Sequence, residues 1–99
     1  MRVPSNSAMI DKYVKDFLGN SAKLEMFAKG RLASMGLEST LETALTMMAG
    51  YLYGNWWAIY VIEHHGMEPS PEEVAKLDKY MKPRLNLMRE KLISDRFRA

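Results

Sequence analysis

The sequence predicts an all-α domain, and three observations lead to that prediction. Apolar residues recur every three or four positions over four stretches of the chain, which is the period of a helix. Residues that cap helices precede these stretches, and glycines follow three of them. Hydrophobic residues make up 47% of the 99 positions and charged residues 26%, as in an ordinary folded protein. We therefore expect a single helical domain over residues 1–99, with a four-helix, bundle-like fold.

The first predicted helix begins near Ser7 and ends near Leu18. Ser5, Asn6 or Ser7 can cap its start, and Gly19 is a stop signal. Its apolar positions form one stripe along the helix: Ile10, Tyr13, Val14, Phe17 and Leu18.

A second predicted helix is capped by Asn20 or Ser21 and ends near Met35, before Gly36. Gly30 weakens it by roughly 1 kcal/mol relative to alanine. The first two helices could instead form one longer helix that is kinked near Gly19. The inward positions expected for the second helix are Leu24, Phe27, Ala28, Leu32 and Met35.

The third predicted helix starts near "LESTLE" and runs to His64 or His65, before Gly66. Ser39 or Thr40 would cap it, with acidic residues in or near the first turn, where the helix dipole favours them. A core stripe follows from the three-to-four spacing of Leu41, Leu45, Met48, Leu52, Trp56, Ile59 and Ile62.

The fourth predicted helix has the clearest start, in the sequence "SPEE" at residues 70–73. Ser70 is the cap, Pro71 occupies the first helical position, and Glu73 would complete a capping box. Pro83 lies inside this helix and removes a hydrogen bond, so a kink or a break is expected there. The predicted inward stripe is Val74, Leu77, Met81, Leu85, Met88 and Leu92.

Residues 43–62 contain no charged side chain, which raises the question of what covers them. Their length fits a membrane span. However, Trp56 and Trp57 lie near the middle of the third helix, whereas aromatic residues of spanning helices prefer the two membrane interfaces. We therefore expect no membrane association, and a helix that protein covers on both sides.

A second stripe on the third helix favours an interface between copies of the chain. Gly50 and Gly54 lie one turn apart and would let another backbone approach closely, and Tyr and Trp are enriched at interfaces. The other helices could bury both stripes by themselves, but three short helices offer little surface to surround a long one. We therefore predict a homo-oligomer. The predicted interface residues are Thr46, Gly50, Tyr53, Gly54, Trp56, Trp57 and Tyr60.

No motif for catalysis or cofactor binding stands out in the chain. It has no cysteine, and neither a nucleophile motif nor a phosphate-binding glycine loop is present. His64 and His65 are adjacent and would point about 100° apart on a helix, so they favour a polar helix end over a metal site. The sequence therefore predicts a non-enzymatic assembly or adaptor protein that self-associates through its third helix and binds neither metal nor cofactor.

The charge distribution leaves nucleic-acid binding as the alternative function. Residues 32–75 carry six acidic and no basic residues, whereas residues 76–99 carry eight basic and three acidic ones. A small nucleic-acid-binding protein would use this basic C-terminal helix. The candidate residues are Lys79, Lys82, Arg84, Arg89, Lys91, Arg96 and Arg98. Since the N-terminus does not resemble a signal peptide, a cytoplasmic location is expected.

Overall fold

A computed structural model describes residues 3–20 and 29–94 of the chain. These residues form four α-helices and no strand, so the all-α prediction is confirmed for the part of the chain described. The helices are α1 (Ser7–Gly19), α2 (Arg31–Ser34), α3 (Leu41–Glu63) and α4 (Pro71–Ser94). Of the two positions expected to cap the second helix, Asn20 is the residue that follows α1, and its amide donates to the carbonyl of Phe17. The other, Ser21, and the expected inward residues Leu24, Phe27 and Ala28 lie outside the described residues.

Thr40 and Ser70 cap α3 and α4, as predicted, but the capping box expected at Glu73 is not formed, because the Glu73 carboxylate accepts from Lys76 instead. Thr40 caps α3: its hydroxyl accepts from the Thr43 amide at 3.1 Å, and the Thr43 hydroxyl accepts from the Thr40 amide at 2.8 Å. The cap is a reciprocal box built from two threonines. At α4 the Glu73 amide donates to the Ser70 hydroxyl at 3.2 Å, and Pro71 is the first helical residue.

Left-handed residues close the C-terminal ends of α2 and α3. Gly36 has a φ of 72°, and the amide of Leu37 returns to the carbonyl of Leu32 at 2.9 Å, which completes a Schellman motif. At the end of α3 the left-handed backbone begins at His65, with a φ of 55°, and continues at Gly66. Two residues, His65 and the predicted Gly66, therefore adopt the left-handed conformation that ends α3.

The three long helices pack against one another around a single core. Trp56 lies at its centre with no exposed surface, and its indole Nε1 donates to the carbonyl of Ser5 at 2.6 Å. The N-terminal residues thus fold over one edge of α3, where Pro4 is also buried. The buried core side chains are Ile10, Val14, Phe17, Leu32, Ala44, Leu45, Met48, Leu52, Trp56, Tyr60, Leu77, Tyr80, Met81, Met88 and Leu92.

Three of the sequence predictions about packing need correction. Met35 and Ile62 were expected to face inward, yet both are exposed. Met35 follows the last residue of α2, and Ile62 lies in the final turn of α3. At these helix ends no neighbouring helix among the residues described covers the two side chains. At Pro83, where a kink or a break was expected, the break does not occur: α4 is one helix from Pro71 to Ser94.

A polar contact on the surface joins α1 to α4. Asp11 on α1 accepts a hydrogen bond from the hydroxyl of Tyr80 and another from Arg84 Nε at 2.6 Å. The Arg84 guanidinium also lies 3.4 Å from the centre of the Tyr80 ring. Partial burial alone would raise the pKa of Asp11, but the two hydrogen bonds and the positive charge of Arg84 outweigh it, so the pKa lies below its ordinary value of 3.8.

This lowered pKa predicts a stability difference that depends on pH. The ionised Asp11 stabilises the fold at neutral pH, and its contribution is lost as the pH falls through the lowered pKa. We expect Asp11→Asn to lower the free energy of unfolding by at most about 1 kcal/mol at pH 7, because half of the Asp11 side chain is exposed. Urea unfolding at pH 7 and pH 3 measures this difference, which should shrink at pH 3. A difference equal at both pH values would contradict the assignment.

Candidate interface on the third helix

One row of side chains on α3 points away from the rest of the chain. Its members are four residues apart, so they form a continuous ridge that winds slowly around the helix. All of them are exposed, and none is charged. The row consists of Thr46, Gly50, Gly54, Ala58 and Ile62, and we call it the α3 ridge.

The two glycines leave the backbone of α3 open at the middle of the ridge. A Cβ atom placed on Gly50 or on Gly54 would meet no atom within 4 Å. The fold itself therefore does not require glycine at these positions, although glycine costs about 0.5–1 kcal/mol in a helix interior relative to alanine. A surface that accepts another backbone at close range would give these glycines a role.

Tyr53 and Trp57 flank the ridge on the side of the core. Both are half-buried and pack against the core cluster, so each presents only part of its ring to the surface. Trp57 also donates from its indole Nε1 to the Glu68 carboxylate, which holds the loop after α3 against the helix. These contacts fix the Trp57 ring, and a fixed aromatic edge loses little conformational entropy when a partner covers it.

Trp56 and Tyr60 do not lie on the surface where they were expected to form an interface. Both are buried by the chain itself, with their rings 5.3 Å apart. The Tyr60 ring also stacks on the ring of His64, at 3.8 Å between their centres. The residues of the expected interface therefore differ in burial. Trp56 and Tyr60 belong to the core, and Tyr53 and Trp57 are half-buried. Only Thr46, Gly50 and Gly54 are exposed.

Sequence reasoning missed two members of the ridge. Ala58 and Ile62 continue the spacing of Gly50 and Gly54 by four and eight residues, so the signal was present in the sequence. Ile62 was instead assigned to the core stripe. Because apolar residues occur on every side of α3, periodicity alone did not show which side chains in its last turn are buried and which are exposed.

An apolar groove adjoins the first residue of the ridge. It lies between the end of α2 and the start of α3 and has a volume of about 510 Å³, which is in the range of small-ligand pockets. Among the described residues that line it, Glu38 is the one with a charged side chain. The residues that line the groove are Leu32, Met35, Leu37, Glu38, Thr43, Thr46 and Met47.

The basic residues proposed for nucleic-acid binding do not share one surface. Arg84 is bound to Asp11 on the side of α1, whereas Arg89 reaches Glu42 at the start of α3 at 3.1 Å. Lys79 and Lys82 are exposed, and Lys91 is half-buried. The candidates Arg96 and Arg98 lie outside the described residues. Of the proposed arginines, the two that the structure describes, Arg84 and Arg89, are thus each paired with a carboxylate.

Two kinds of feature are absent from residues 3–20 and 29–94. In these two segments, no three His, Asp or Glu side chains are grouped as a metal site would require. None of the helices described combines the length and hydrophobicity needed to cross a membrane.

No known protein family, curated protein sequence or solved structure matches this chain.

Proposed function

We propose that this chain is a non-enzymatic assembly protein that associates with a second copy of itself through the α3 ridge. The observation that supports the proposal best is the exposed run of uncharged side chains on α3, with two open glycines at its centre. Glycine at these positions does not stabilise the single folded chain, whereas in a helix–helix contact between subunits it lets the two backbones approach closely.

The energetic argument for a partner is the uncharged character of the surface. The two ends of the ridge, Thr46 and Ile62, are sixteen residues apart, or about 24 Å along the helix axis. Apolar surface removed from water contributes about 25 cal/mol per Å², and no charged group on the ridge would have to be desolvated. Covering the ridge and the half-buried rings of Tyr53 and Trp57 is therefore favourable, and the partner surface should itself be uncharged.

The alternatives are weaker on the residues described. A role in nucleic-acid binding would need cations that are clustered and available, but Arg84 and Arg89 point to different sides of α4 and are paired with carboxylates. An adaptor that binds a different protein through the same ridge is compatible with the chemistry, but nothing in the structure specifies such a partner. The cytoplasmic location expected from the sequence stays a prediction.

The solution mass of the native chain at increasing concentration tests the proposal. The monomer has a mass of 11.4 kDa, and we expect the measured mass to approach a multiple of this value as the concentration rises. Because the ridge is uncharged, the association should change little between low salt and 0.5 M salt. A mass that increases only when nucleic acid is added, and falls again with salt, would favour the basic surface of α4 instead.

A further inference from the structure

The ridge has a symmetry in its spacing that bears on the orientation of the two copies. Gly50 and Ala58 each lie four residues from Gly54, and Thr46 and Ile62 each lie eight residues from it, which is about 12 Å along the axis. Two ridges of this kind pack side by side when their helices cross at about 50°. A two-fold axis at Gly54 would then match small residues with small residues along the contact.

The two ends of the ridge differ in shape. At the N-terminal end, Thr46 is small and adjoins the apolar groove lined by Leu37 and Met47. At the C-terminal end, Ile62 projects from the surface with 76% of its area exposed. One end of the ridge is therefore a recess and the other a projection, at equal distances from Gly54.

We propose that two copies pack antiparallel across Gly54, so that Ile62 of each copy enters the groove beside Thr46 of the other. This inference rests on the proposed self-association and specifies its geometry. Ile62 of each copy fills the groove of the other copy, so the contact is reciprocal, as a two-fold interface requires. In a parallel pair the two projections would meet each other and both grooves would stay open.

The helix dipoles also favour the antiparallel arrangement. In two neighbouring antiparallel helices, the positive N-terminal end of each dipole lies on the same side as the negative C-terminal end of the other. In a parallel pair the like ends of the two dipoles would lie together. Glu63, beside Ile62, is held by its own chain through the Asn6 side-chain amide at 2.9 Å.

Engineered cysteines give a direct test, because the native chain has none. The variants Thr46→Cys and Ile62→Cys are each treated with a short thiol–thiol crosslinker, alone and as an equimolar mixture, at a concentration where the native chain associates. We expect cross-linked dimer in the mixture and little in either variant alone. Dimer from Thr46→Cys alone would indicate parallel packing and overturn the inference. So would the absence of crosslinks in the mixture while its mass shows association.

A second measurement tests the insertion of Ile62. Ile62→Ala should weaken self-association at least about fivefold, because the truncated side chain no longer fills the groove of the other copy. Ile93→Ala, on an exposed site of α4, is the matched control and should leave the affinity unchanged. Equal affinities for the two variants would overturn the inference but leave self-association standing. A native chain that is monomeric at every concentration would overturn both.

Discussion

Trp56→Ala is expected to cost about 3–5 kcal/mol in the free energy of unfolding. Trp56 is the largest fully buried side chain, and its removal would leave a cavity beside Tyr60 and Trp57. The substitution also leaves the carbonyl of Ser5 without its indole donor. Because a domain of this size is stable by only about 5–15 kcal/mol, the variant should be largely destabilised or unfolded. Urea unfolding followed by circular dichroism measures the loss.

The neighbouring tryptophan is the matched control for this experiment. Trp57 is half-buried, so Trp57→Ala should cost well under half as much, measured at a concentration where the chain is monomeric. A third variant, Trp56→Phe, keeps an aromatic ring but loses the hydrogen bond to Ser5. It should fall between the other two. Equal losses at Trp56 and Trp57 would contradict the assignment of Trp56 to the core and Trp57 to its edge.

Gly54→Leu should have the largest effect on self-association while leaving the single chain at least as stable. A leucine side chain at Gly54 enters open space in the chain itself, and helix propensity favours it by about 0.5–1 kcal/mol. In a close contact between two α3 ridges the same side chain overpacks the interface, at about 1–3 kcal/mol. The dissociation constant should therefore rise by roughly five- to 150-fold. Sedimentation equilibrium measures the change.

Ala75→Leu on the exposed face of α4 is the control for an added surface leucine. It should leave the mass of the chain at each concentration unchanged. If Gly54→Leu and the native chain have the same dissociation constant, the α3 ridge is not part of the interface. A large fall in the unfolding free energy of monomeric Gly54→Leu would show that Gly54 is packed within its own chain.

The positions of the helices follow closely from local sequence signals. Thr40 and Ser70 cap α3 and α4 as predicted, and α1 ends at the predicted Gly19. These features depend on hydrogen bonds between residues that are close in sequence, so a single chain contains the information. Of the kink or break expected at Pro83, the break does not occur: α4 continues through the proline, and Met81 and Met88 are buried on either side of it along the chain.

The orientation of α3 was harder to predict than its extent. Apolar residues surround this helix, so two different stripes satisfy the helical period equally well. Trp56 was assigned both to the core stripe and to the interface, and Tyr60 to the interface alone. Contacts distant in sequence place both in the core: Ser5 binds the indole of Trp56, and Tyr60 packs beside it. Such long-range contacts are absent from local periodicity. Gly50 and Gly54, by contrast, are both exposed, and their place at an interface stays a prediction.

The accessibility of Ile62 during association tests the central claim most directly. Hydroxyl-radical labelling of Ile62 and of Ile93 provides two chemically identical probes, with 76% and 57% of their surfaces exposed in the single chain. As the concentration rises and the mass increases, labelling of Ile62 should fall while labelling of Ile93 stays constant. Undiminished labelling of Ile62 in the associated protein would mean that another surface joins the copies, and would contradict assembly through the α3 ridge.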